Sequence, residues 1–137
     1  MEKYFKNLYT IELDHDLYLQ GKALAKKRSR VNFLEGDSGI IIQDVLKKIN
    51  KPTLFWLDAH YSGDGTARGS IDTPIIKELQ HIFAHHIKKH VLVIDDMRCF
   101  DGTNDYPRLI DLENFILSTA PGYKISYGKD LIVIEPR

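Results

Sequence analysis

Apolar positions along the chain follow two alternating patterns. Short runs rich in β-branched and aromatic residues are typical of β-strands, whereas longer segments repeat apolar residues at helical spacing. The first pattern predicts strands at 8–13, 31–35, 53–57, 91–94, 123–127 and 131–134. The second pattern predicts helices at 16–29, 38–49, 73–87 and 107–119. The outer face of the third helix is expected to carry Lys77, Glu78, His81 and His85.

Strands that alternate with helices predict an α/β fold, a Rossmann-like domain with a mostly parallel sheet and helices on both faces. The last two strands flank Gly128-Lys129 and predict an antiparallel hairpin at the C-terminus. The apolar runs at 53–57 and 91–94 are typical of strands buried on both faces, so Trp56 is predicted to lie in the core. The length of 137 residues fits one domain, residues 1–137.

Charge and cysteine content narrow the functional classes. The chain has 19 Lys and Arg against 19 Asp and Glu, and its formal net charge is zero. This balance argues against nucleic-acid binding through bulk electrostatics. Cys99 is the single cysteine, so we expect a reducing, cytoplasmic compartment rather than an intramolecular disulfide. The apolar runs fall far short of the roughly 20 residues that span a bilayer, and no membrane partner is expected.

Acidic residues lie at the end of each predicted parallel strand. They are Glu12, Asp14, Asp37, Asp58, Asp95 and Asp96. Ligands of open α/β sheets bind beyond the carboxyl ends of the strands, where these residues lie. Three converging carboxylates repel one another unless a cation lies among them, and hard oxygen ligands suit Mg²⁺ or a similar ion. We therefore predict a divalent-cation site at Asp58, Asp95 and Asp96.

Several of the candidate residues have more than one interpretation. Glu12 either binds ribose hydroxyls or is a solvated surface residue. Asp37 could equally cap the following helix, although Ser38 is predicted to be that cap. His60, beside Asp58, is a general base, a ligand-stacking group or a hydrogen-bonded structural residue. The histidines of the third helix are predicted to be solvated, because pairs at i,i+4 need further ligands to bind a metal.

Five segments together carry a resemblance to a known family. They are TIELD (10–14), FLEGDSG (33–39), FWLDAHYSGDGTARG (55–69), TPIIKEL (73–79) and VLVIDDMRCF (91–100). The chain resembles the class I S-adenosylmethionine-dependent methyltransferases, most closely the macrocin and catechol O-methyltransferases. The resemblance implies that Glu12 holds the ribose of the cofactor and that Asp37 and Ser38 lie near its adenine. It also implies that Asp58, Asp95 and Asp96 hold a divalent cation that orients the acceptor hydroxyls.

The chain departs from this family at its N-terminus. The family's first strand and its glycine-rich cofactor loop precede the strand that corresponds to 8–13, where this sequence has only residues 1–7. The GDGTARG stretch follows a later strand and does not fit the G-x-G-x-x-G spacing. The resemblance places the absent strand between 8–13 and 53–57. Its loss leaves two unpaired edges, which either pair directly or are covered by a second copy in a homodimer.

Two functional hypotheses follow. The first is an enzyme that methylates a small-molecule hydroxyl with a divalent cation, in which Asp58 and His60 are the catalytic residues. The second is a non-catalytic Rossmann-like remnant, or a fragment of a longer protein, that binds metal or adenosine without turnover. A nucleotide-sugar transferase is a weaker alternative, because the C-terminal hairpin fits the methyltransferase pattern better.

Overall fold

A computed structural model describes residues 4–26, 30–58 and 73–137. Its elements follow the predicted alternation of strands and helices. In chain order they are β1 (Leu8–Glu12), α1 (His15–Leu24), β2 (Val31–Glu35), α2 (Ser38–Leu46), β3 (Leu54–Leu57), α3 (Ile75–Ala84), β4 (Val91–Ile94), α4 (Leu109–Thr119), β5 (Tyr123–Tyr127) and β6 (Ile132–Pro136). A short 3-10 turn, Met97–Cys99, follows β4. Among the described residues no helix has the length and apolar character needed to cross a membrane.

The described strands form two sheets. β1 and β2 pair in parallel, and β3 pairs in parallel with β4. β6 runs antiparallel to both β4 and β5, which gives the order β3-β4-β6-β5. The α/β fold with its C-terminal hairpin is therefore confirmed. The strands β1 and β3, which were predicted to face a gap, do not pair directly with each other in these sheets.

One face of the larger sheet holds the hydrophobic core. Leu92 and Ile134 stand opposite each other in register and are completely buried. They pack with residues of α2, α3 and α4, among them Leu79, Leu112 and Ile116, which also have no exposed surface. Apolar burial of this kind is the main favourable contribution to folding, so the core is the rigid support for the strand ends.

The opposite face of β3 is open, which corrects the prediction of a strand buried on both faces. Trp56 is 49% exposed and Leu54 is 37% exposed, whereas Phe55 and Leu57 are buried. α1 packs against β1 and β2. A Cβ on Gly21 would lie 2.4 Å from the Phe33 ring, so α1 sits directly on β2.

Candidate functional site

A cleft opens where β3 and β4 end. About 240 Å³ of space lies between its walls, open solvent included. Its lining residues are Leu57, Asp58, Thr73, Ile75, Glu78, Ile94, Asp95, Phe100 and Tyr106. Apolar walls with a few acidic and hydroxyl groups are the composition of a site that orients part of a ligand. Asp58 and Asp95 lie together here because their strands are neighbours in register.

The two acids after β4 have different surroundings. The Asp95 amide donates to the Leu57 carbonyl at 3.1 Å, which extends the β3–β4 ladder by one bond. The Asp95 carboxylate accepts from the Asp96 amide at 2.9 Å. Asp96 adopts a left-handed backbone with φ of 56°, and its carboxylate lies 2.6 Å from the Arg98 guanidinium. Arg98 also binds Asp130.

Arg98 thus supplies a positive charge that balances Asp96. Asp58 and Asp95 line the cleft, whereas Asp96 is not among the lining residues. In residues 4–26, 30–58 and 73–137 no group of three or more His, Cys, Asp or Glu side chains is arranged to hold a metal ion. The three-carboxylate cation site stays a prediction, and His60 lies outside the described residues.

Asp37 and Ser38 stand at the start of α2. The Asp37 carboxylate caps the helix by accepting from the Gly39 amide at 2.8 Å, and Ser38 is the first helical residue. The prediction of Ser38 as the cap was therefore wrong, and the capping role proposed for Asp37 is confirmed. Because the helix begins at Ser38, the residue before it is the N-cap, and the carboxylate of Asp37 reaches the amide two residues ahead, as N-cap side chains do.

Glu78 is a buried acid, contrary to the prediction from the sequence. It was assigned to the outer face of the third helix, but it is only 2% exposed. Its carboxyl group hydrogen-bonds Ser38, and burial raises the pKa of Glu78 to about 7 while the nearby Asp37 charge adds to the increase. The spacing held a signal for this position, since 78 is three residues after Ile75 and four before Ile82, both buried.

Glu12 lies half-buried at the carboxyl end of β1. Its Oε1 accepts from the Asp14 amide at 2.9 Å, and Asp14 in turn caps α1 through the Asp16 and Leu17 amides. In the β1–β2 register Glu12 stands opposite Glu35, whose carboxylate contacts the His15 ring at 2.7 Å. The local fold therefore fixes the Glu12 side chain at the same edge of the sheets as Asp37.

His85, which was predicted to be solvated, instead forms a hydrogen-bonded relay with the buried His90 before β4. α3 ends at Ala84, so His85 is extended and points inward to meet His90, which has no exposed surface. The Thr53 amide donates to Nδ1 of His90 at 3.2 Å, so Nε2 of His90 carries the proton and donates to Nδ1 of His85 at 2.9 Å. Nε2 of His85 then donates to the Leu46 carbonyl at 3.1 Å.

This relay is structural, because it lies before the first residues of β3 and β4 and so at the edge opposite the cleft. Burial, and secondarily the neighbouring His85, lowers the pKa of His90 to about 4. Burial also lowers the pKa of His85. Both rings are therefore neutral at pH 7, as the hydrogen-bond directions require. His81, by contrast, stays partly exposed and contacts Gln43 at 3.0 Å.

Solved structures share this arrangement of elements. A protein described as an rRNA methylase from Clostridium thermocellum gives a TM-score of 0.59 at 13% identity, over 96% of this chain and 75% of its own. A Streptococcus mutans protein described as a methyltransferase, in complex with S-adenosylhomocysteine, gives 0.59 at 12% identity, over 96% of this chain and 77% of its own. The chain has the fold of S-adenosylmethionine-dependent methyltransferases.

A third protein with this methyltransferase fold, described as a caffeoyl-CoA O-methyltransferase from Staphylococcus aureus, gives a TM-score of 0.57 at 14% identity, over 96% of this chain and 65% of its own. This chain thus spans between 65% and 77% of the length of the three proteins. No protein-family model matches its sequence, and no curated protein does. The resemblance to methyltransferases is confirmed for the fold.

Proposed function

We propose that this chain binds S-adenosylmethionine and serves methyl transfer to a hydroxyl group of a small molecule. The observation that carries the proposal is the methyltransferase fold with acids at the ends of its parallel strands. Glu12 has its Oε1 held by the Asp14 amide, so Oε2 can accept from a ribose hydroxyl. Asp37 and Ser38 begin α2 at the same edge, where adenine would lie.

The reaction depends mainly on placing the acceptor oxygen in line with the methyl group. The cofactor, when bound, supplies that methyl group on a positively charged sulfur. Asp58, which lines the cleft, would accept the proton of the acceptor hydroxyl. His60, two residues further along, is the second candidate base. The apolar cleft walls at Leu57, Ile94 and Phe100 would keep water from the reacting oxygen.

A divalent cation is part of the proposal, and the cleft donors fit one. Mg²⁺ is commonly held by one or two protein carboxylates and keeps several waters. Asp58 and Asp95 would hold it there, where it would lower the pKa of the acceptor hydroxyl. Asp96 would join them only after release from Arg98.

The alternative, binding without turnover, is favoured by one specific observation. β1 pairs only with β2 and β3 only with β4 among the described strands, so the sheet is divided between the proposed adenosine residues and the cleft. Methyl transfer to catechol-type and sugar hydroxyls distinguishes the two functions, since the remnant would bind the cofactor but give no methylated product. A homodimer stays a prediction, and it would use the exposed Trp56 of β3, whose second edge has no partner among the described strands.

Calorimetric titration of S-adenosylhomocysteine tests the proposed role of Glu12 in binding the ribose of the cofactor. The native chain should bind it, and Glu12→Gln should bind about tenfold more weakly, because a charge-assisted hydrogen bond to a hydroxyl is worth roughly 1.5 kcal/mol. Glu135→Gln is the matched control, since Glu135 pairs with Lys124 on β5 at the other edge of the sheet. Equal affinity of the native and Glu12→Gln chains would remove Glu12 from the site.

The cation is tested by titrating Mg²⁺ or Mn²⁺ into the native chain and two variants. Asp95→Asn should lose most of the binding heat, because it removes one of two cleft carboxylates. Asp96→Asn should bind as the native chain does, because Asp96 is occupied by Arg98. The cation proposal fails if native and Asp95→Asn chains bind alike, or if neither binds at millimolar metal.

A further inference from the structure

Glu78 connects the two parts of the proposed site. Its side chain starts on α3 and reaches Ser38 at the beginning of α2, while it also lines the cleft that contains Asp58 and Asp95. The two helix ends meet closely, since a Cβ on Gly39 would lie 3.1 Å from the Pro74 Cβ. Glu78 is thus a buried, charge-bearing side chain at the contact between α2, α3 and the strand ends.

The burial of this acid has an energetic cost that packing alone does not explain. Glu78 lies within one turn of Ile75, Leu79 and Ile82, all of them buried. Burying a carboxylate in apolar surroundings is unfavourable, and an apolar residue of similar size would pack there without that cost. A costly buried acid beside a cleft is a common sign of a functional group.

We propose that Glu78 is a positioning residue for the adenosine half of the cofactor and acts through Ser38. Its carboxylate accepts a hydrogen bond from the Ser38 hydroxyl, which fixes that side chain and the first turn of α2. The Asp37 carboxylate, which caps the same turn, is thereby held in place for the adenine. This inference rests on the proposed cofactor and adds the residue that orders its binding surface.

A double-mutant cycle tests the inference with S-adenosylhomocysteine as the probe. Affinity is measured at pH 8 for the native chain, Glu78→Gln, Ser38→Ala and the double variant, with Glu135→Gln as control. Each single variant should bind about tenfold more weakly, in keeping with the loss of one charge-assisted hydrogen bond. The double variant should bind no more weakly than either single variant, because the two residues act through one contact.

The outcomes test separately whether the chain binds the cofactor and whether Glu78 positions Ser38 for it. Losses that multiply to about a hundredfold in the double variant would overturn the coupling through Ser38, as would native affinity in Glu78→Gln. Ser38→Ala does not alter the core, so it tests the same contact if Glu78→Gln fails to fold, and native binding by it overturns the inference. If the native chain itself does not bind, the cofactor proposal falls and Glu78's role falls with it.

Discussion

Glu78→Gln should be more stable than the native chain at pH 8 and no more stable at pH 4. The folded-state pKa of Glu78 is raised from 4.5 to about 7, so the unfolded chain releases this proton more readily. The contribution of Glu78 to the free energy of unfolding is therefore largest below pH 4.5 and is lost as the pH rises to 7. A shift of this size corresponds to about 3 kcal/mol, which the variant should regain at pH 8.

The measurement is urea unfolding at pH 4, 5, 6, 7 and 8, followed by circular dichroism. Glu135→Gln serves as the control, because its carboxylate is at the surface and should give the native pH profile. A constant difference between Glu78→Gln and the native chain across this range would show that the buried acid does not titrate as proposed. A variant that is less stable at pH 8 would lead to the same conclusion.

His90→Leu should lower the free energy of unfolding by about 3 kcal/mol at pH 7, and this deficit should disappear toward pH 4. Leu fills a similar volume but leaves the Thr53 amide and the His85 ring without their buried partner, and such groups cost about 1–3 kcal/mol each. The folded-state pKa of His90 is depressed to about 4. The native chain therefore has this group's stability above pH 6.5 and loses it as the pH falls to 4.

The same unfolding series, run on His90→Leu and on the control His81→Leu, checks this. His81 is partly exposed with one side-chain contact, so its replacement should change stability by less than about 0.5 kcal/mol. Stability differences that stay equal at pH 4 and pH 7 would contradict a neutral buried His90.

Glu78 and His90 change protonation over nearly the same pH interval, but their contributions to the free energy of unfolding change in opposite directions. In the native chain, the loss from His90 on acidification from pH 7 to 4 is offset by the gain from Glu78, so their joint contribution is nearly flat. Each variant therefore reveals how the free energy of unfolding depends on pH through the other group. Because only His90 is left to titrate, the free energy of unfolding of Glu78→Gln should fall by about 3 kcal/mol between pH 7 and pH 4.

The order of elements could be predicted from the sequence because apolar spacing reports local periodicity directly. The α/β alternation, the hairpin of β5 and β6 and the burial of Leu92 in β4 all follow from it. The acids at the strand ends were also found, since topology places the carboxyl ends of parallel strands at one edge.

The wrong predictions concern residues whose burial or pairing is set by tertiary contacts. Glu78 was placed outside because a charged residue is seldom buried, yet Ser38 gives it a partner across two helices. The apolar run predicts Trp56 in the core because such a run is typical of a strand covered on both faces, and no local pattern can establish that cover. The pairing of Asp96 with Arg98 depends on a left-handed backbone and on Asp130, which lies more than thirty residues along the chain.

The division of the described strands into two sheets has a consequence for cooperativity. Among the described residues, no ladder of backbone hydrogen bonds joins β1 and β2 to the β3-β4-β6-β5 sheet, and helix packing, chiefly of α2 against α3, connects them. Segments joined by side-chain packing alone open with a smaller free energy than segments within one ladder. We therefore expect β1 and β2, with Glu12, to open more readily than the β3-β4-β6-β5 sheet, whereas α2, capped by Asp37, is held in the core through Ile42, Val45 and Leu46.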